Sequence, residues 1–88
     1  MLTGFSVTLG TSPVNLTDGF ELDREMEISV NSLGGGYFIG DENVADGDGY
    51  FVAGGTTGVR LTLHGDPVYA VALGETEVVV FVLLNVVK

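Results

Sequence analysis

The chain has 88 residues, enough for one domain and one core. Its formal charge of −9 sets twelve acids against only Arg24, Arg60 and Lys88, which excludes the basic footprint of a nucleic-acid binder and any attraction to an anionic membrane. It has no cysteine, so disulfides and thiolate metal sites are excluded, and a partner subunit or a bound ion is the remaining way to reinforce so small a core.

The first residues show no basic segment followed by an apolar run, so no secretion leader is expected there. Phe5, Val7 and Leu9 alternate with Ser6 and Thr8, the pattern of a half-buried strand, although residues 1–10 could also form an arm. Pro13 cannot donate to a ladder, which places the short apolar stretch 14–16 near a sheet edge. Asn15-Leu16-Thr17 matches a glycosylation sequon, read here as a chance match. Met26, Ile28 and Val30 alternate with Glu25, Glu27 and Ser29, predicting a strand with one wet face. A helix over residues 22–30 competes poorly, because acids two residues apart do not share a helical face.

Gly34-Gly35-Gly36 forms a turn, followed by a short strand at Tyr37-Phe38-Ile39. Residues 41–49 read as a polar loop with Asp46-Gly47 and Asp48-Gly49 as turn signals. Short strands follow at 50–52 and 59–63. Residues 68–73, small and apolar, predict a strand buried on both faces. Gly74-Glu75 reads as a tight turn that would join this strand to the last one as a hairpin. The last stretch, residues 76–87, is nearly all apolar and dominated by β-branched side chains. It is too short for a membrane helix, which needs about 20 residues, and its branched side chains suit a pleated strand. One face can point into the core; the other is also apolar and needs cover. Fourteen glycines between short apolar stretches therefore predict an all-β fold: a small antiparallel β-sandwich, jelly-roll-like, with about 7–8 short strands in a single domain over residues 1–88.

The candidate chemistry is sparse. Asp41, Glu42, Asp46 and Asp48 could together offer oxygen ligands to calcium, but the spacing does not fit an EF-hand, with Ala45 fifth, Asp46 sixth and Val52 twelfth from Asp41. A solvated loop is the plainer reading. His64, the sole histidine, falls on the polar face with Arg60 and Thr62 and reads as a surface or interface residue. The three consecutive glycines lack the GK[ST] ending of a phosphate loop. The tyrosines read as packing residues or interface anchors. No catalytic residue, metal site or cofactor is expected.

From Tyr37 onward the order of motifs resembles the small capsid decoration (auxiliary, head-stabilising) proteins of tailed bacteriophages, especially phages of actinobacteria. The resemblance is carried by Tyr37-Phe38-Ile39-Gly40, Asn43-Val44, residues 46–49, Val52-Ala53-Gly54, residues 59–63, Val68-Tyr69-Ala70-Val71-Ala72 and the strand 76–82. Earlier, Pro13-Val14-Asn15-Leu16-Thr17 is similar to the family's first core strand. The match covers roughly three quarters of the chain. Residues 23–27 are more acidic than the family pattern, and the strand over 78–87 is longer and more apolar.

What the resemblance implies is a non-enzymatic virion protein on the outer surface of the head, with the major capsid protein as partner. It would form a homo-oligomer, a trimer first and a dimer second, touching neither nucleic acid nor membrane. The apolar contacts are expected from Leu2, Phe5, Val78, Val80, Phe81, Val82, Leu83, Leu84, Val86 and Val87. Two other classes stay open. One is a carbohydrate- or cell-surface-binding module with Tyr37, Asp41, Asp46, Asp48 and Tyr50 as its rim. The other is a head–tail connector or tail-tube subunit.

Overall fold

The computed structural model describes residues 2–20, 25–55, 58–74 and 76–86. Eight strands follow in order: β1 (Leu2–Leu9), β2 (Val14–Asn15), β3 (Met26–Ser32), β4 (Tyr37–Gly40), β5 (Tyr50–Val52), β6 (Gly58–Leu63), β7 (Tyr69–Ala72) and β8 (Val78–Val86). They form two antiparallel four-stranded sheets, β1-β8-β3-β6 and β2-β7-β4-β5. The pairs 1·8, 2·7, 3·6 and 4·5 are those of a long two-stranded ribbon, bent at β4–β5 and rolled so that alternate segments fall into opposite sheets. That is a jelly roll.

The two sheets share one apolar core. Leu9, Met26, Ile28, Val30, Val78, Val80, Val82 and Leu84 from the first sheet meet Tyr37, Ile39, Val52, Ala70 and Ala72 from the second. Each position follows from period-2 alternation, which sends every second side chain of a strand to one face. β3 reads buried–intermediate from Met26 to Ser32 without a break, with Glu27, Ser29 and Asn31 on the wetter side. β4 and β7 differ: both parities are buried, because residues 41–49 fold over the outer side of the second sheet. There Phe38 and Val71, cross-strand partners, pack with Val44 of the loop.

The predicted hairpin between the seventh and eighth strands does not form. β7 pairs with β2 and β4, whereas β8 crosses to the other sheet and lies between β1 and β3. The chain does turn at Gly74, whose φ of 70° lies in the left-handed region that glycine tolerates. The turn connects sheets rather than neighbours, since β8 is apolar enough to occupy a central position paired on both sides. Residues 2–9 form no arm: β1 pairs with β8 along its whole length, from Leu2 opposite Asn85 to Leu9 opposite Val78. β2 does lie at a sheet edge, as Pro13 predicts.

Polar groups at the ends of strands are satisfied locally. Asn15 Oδ1 accepts from the Thr17 N–H at 2.9 Å and from Thr17 Oγ1 at 2.6 Å. Both polar ends of the sequon match are thus engaged in one turn, with Thr17 buried. Ser32 Oγ accepts from the Gly34 N–H at 3.1 Å and donates to the Gly35 carbonyl at 3.0 Å, closing the glycine-rich turn. That turn abuts a second one: a Cβ added at Gly54 would overlap the Gly34 carbonyl oxygen. The two turns can approach so closely only because Gly54 carries no side chain. Gly54→Ala should therefore lower stability by about 1–3 kcal/mol, the usual cost of overpacking, read as an earlier urea midpoint at unchanged slope.

Tyr37 lies fully inside, and its hydroxyl donates to the Val30 carbonyl of the opposite sheet at 3.1 Å. Burial pushes its pKa up from 10.0 to about 12. The folded state therefore holds this proton more tightly than the unfolded chain does. The stabilisation is fully present below pH 10 and is lost as pH rises through about 12. Tyr37→Phe should cost about 1 kcal/mol at neutral pH through the lost hydrogen bond. It should also remove this residue's part of the stability loss between pH 10 and 12, measured by urea unfolding across that range.

Candidate interaction surface

The outward side of the first sheet is an ordered grid, fixed by the register. Val79, Phe81 and Leu83 form a column on β8. On one side stand Thr8, Ser6 and Gly4 of β1, directly opposite them. On the other stand Asn31 and Ser29 of β3, opposite Phe81 and Leu83, followed by Gly58 and Arg60 of β6. Leu2, Asn85, Glu27 and Thr62 complete the lowest row. Phe81 and Leu83 are each 44% exposed, Val79 is 46% and Leu2 65%. An apolar column on a central strand is thus left in water, flanked by small or short polar side chains that cannot fold over it. A shallow depression of about 220 Å³ beside Leu83 is lined by Leu2, Glu27, Ser29, Arg60 and Asn85.

The residues expected to make apolar contacts split between two faces. Phe81, Leu83 and Leu2 stand on the outward grid. Val78, Val80, Val82 and Leu84 do not: all four are buried in the chain's own core. Alternation forces this, because they share one parity of β8 and that parity faces the second sheet. Phe5 lies on the inner side of β1, half-buried and stacked on Phe20 with ring centroids 6.0 Å apart. Val86 is partly buried against the core. Val87 lies outside the described residues. Val79 belongs to the column and was not among the expected contacts. Its signal was in the sequence: Glu77 and Asn85 share its parity, which marks that parity as the wet one.

The expected binding rim is broken up. Tyr37 is a core residue, not a rim residue, because its ring fills the space between the sheets and its hydroxyl is used inside. Tyr50 is exposed beside Phe51 on β5, whose ring tilts against Phe38 at 5.3 Å between centroids. Asp41 Oδ1 accepts from the Asn43 N–H at 2.9 Å. Asp46 Oδ2 accepts from the Gly74 N–H at 3.0 Å, tying the loop to the turn before β8. Asp48 closes a tight turn with Ala45 through backbone bonds of 2.8 and 3.0 Å. Two carboxylates of this loop thus act as structural acceptors. Among the described residues, no three acidic or histidine side chains converge as around a metal ion. Asp41, Glu42 and Asp66 do line one open depression of about 580 Å³ with Tyr69 and Pro67. His64 Nδ1 stands 3.9 Å from Glu25 Oε1 at the surface, a pairing too exposed to contribute much.

Charge is therefore unevenly spread. The loop acids and Asp66 gather on the side of the second sheet, whereas the outward positions of the first sheet carry only Glu27 and Arg60 as ionic side chains. No family model, curated protein or solved structure matches this chain.

Two adjacent leucines separate the faces experimentally. Leu84→Ala should cost about 2–5 kcal/mol, as for other buried leucines. Leu83→Ala should change stability by no more than about 0.5 kcal/mol, as for other surface changes. Urea unfolding of the two variants checks both values.

Proposed function

We propose that this chain is a non-catalytic structural protein of a virion: a capsid decoration protein that docks on the major capsid protein of a tailed-bacteriophage head and stabilises the shell from outside. The observation that carries this reading is the exposed column of Val79, Phe81 and Leu83 on the outward face of the first sheet. Burying apolar surface there contributes roughly 25 cal/mol per Å², before ordering costs are subtracted. Three further features support it. The motifs from Tyr37 onward resemble such proteins. The jelly roll gives a rigid body whose two sheets are locked by one core. Asp41, Glu42 and Asp66 lie together on the side of the second sheet, so the column can seat while that flank stays hydrated. Fold alone would not suffice, since jelly rolls serve viral capsids and lectins alike.

Mechanically, such a clamp needs little more than what these residues offer. Packaged DNA presses a shell outward, and a rigid body adhering across subunit junctions opposes their separation. Each contact is weak, but many copies on a repeating lattice act together through avidity.

The test uses empty phage heads whose own genome encodes this chain. The purified protein should co-sediment with heads that lack it, and decorated heads should disrupt at higher temperature or force than bare ones. Phe81→Lys should abolish co-sedimentation while leaving the urea midpoint nearly unchanged. Equal robustness of bare and decorated heads, or undiminished binding of the Phe81→Lys protein, would overturn the proposal.

A further inference from the structure

Four strands bound the two sheets: β1, β6, β2 and β5. An edge strand presents a row of unpaired backbone donors and acceptors, and folded proteins usually blunt such rows with charge, proline or brevity. Three of the edges are blunted in this way. β2 has two residues and follows Pro13, β5 has three, and β6 carries Arg60. β1 is different. Leu-Thr-Gly-Phe-Ser-Val-Thr-Leu runs eight residues with no charge and no proline, and the whole length is paired to β8. Among the described residues, no backbone hydrogen bond covers its outer edge; the nearest one joins the Ala72 N–H to the Gly10 carbonyl, beyond the strand.

We infer that β1 pairs antiparallel with β1 of a second copy, joining two first sheets into one eight-stranded sheet across a twofold axis.

Three observations select a second copy over another partner. The first is charge. At −9 per chain, most surfaces of two copies repel, but β1 brings no ionic side chain to the contact. The second is self-complementarity. A twofold perpendicular to the sheet keeps inner faces together, and centring it on Ser6 sets Phe5 opposite the partner's Val7 and Val7 opposite the partner's Phe5. Aromatic and β-branched side chains make favourable cross-strand pairs. Phe5 and Val7 point inward yet stay only partly buried in the single chain, Phe5 with Phe20 stacked on it, and among the described residues no strand pairs beyond them. A second β1 supplies that cover.

The third observation is area. The outward face of one first sheet, four strands about 4.8 Å apart and about 26 Å long, spans roughly 500 Å². Docked alone it would bury about 1,000 Å² in total, the lower limit for a specific interface. The twofold leaves both apolar columns on the same side, so a dimer presents about twice that area, within the standard range. Gly4, Ser6 and Thr8 then form a shallow trough between the two columns. The bare edge of β1 is independent of any shell; only this doubling rests on the proposed docking.

Sedimentation equilibrium of the purified chain tests the inference. Twice the chain mass is expected at micromolar to millimolar concentration, with dissociation weakened by added salt as the repulsion between acidic bodies is screened. Ser6→Lys should return the mass to that of one chain with its urea midpoint unchanged. Because the chain has no cysteine, Ser6→Cys should form a covalent dimer on mild oxidation, whereas Thr62→Cys on the far edge strand should not. A wild-type chain that stays monomeric throughout, or a Ser6→Lys protein that remains dimeric, would overturn the proposal. So would a monomer whose β1 amides gain exchange protection only on phage heads, which would assign the edge to a strand of the shell. Phe81→Lys separates the two readings: it should remain dimeric in solution even where it no longer binds heads.

Discussion

The structure depends on β8 occupying the centre of a sheet with apolar side chains on both its faces. Hydrogen-bonded to β1 on one side and β3 on the other, it cannot slip by one residue without exchanging its faces. Val78, Val80, Val82 and Leu84 hold the register by filling the core against Tyr37, Ile39, Ala70 and Ala72. Once that register is set, Val79, Phe81 and Leu83 have no choice but to face outward. The candidate surface is thus a by-product of the strongest constraint in the core.

The second sheet solves the same problem differently. Phe38 and Val71 also point away from the core, but a loop from within the chain covers them. Its closure is specified by small geometric facts: Gly49 approaches Val44 and the Ile39 carbonyl where a side chain would not fit, and Asp46 ties the loop to Gly74. The second sheet is therefore covered over Phe38 and Val71, with Phe51 at its β5 edge still exposed, whereas the column at the centre of the first sheet has no such cover among the described residues.

Much of this was legible in the sequence, and the rest was not for definite reasons. Alternation over 26–30 and 59–63 predicted β3 and β6, and Pro13 placed β2 at an edge. The small residues of 68–73 predicted a strand buried on both sides. Pairing between distant strands leaves no local trace, so Gly74 suggested a hairpin where the chain in fact changes sheets. Tyr37 read either as a packing residue or, in the alternative module, as part of a rim, because nothing local reveals that its hydroxyl meets the Val30 carbonyl across the core. The final strand hid its inner face because both parities are apolar over most of its length. Only Glu77 and Asn85, at its margins, distinguish them.

The crowding of Asp41, Glu42 and Asp66 on one flank has a consequence for spacing. A body that adheres by a neutral patch and bristles with anions elsewhere pushes sideways on its neighbours. At physiological ionic strength that push fades beyond about 8 Å. On a common support, bodies not joined through β1 would thus resist clumping at short range while ignoring one another at longer range, and the spacing between them would be dictated by the support.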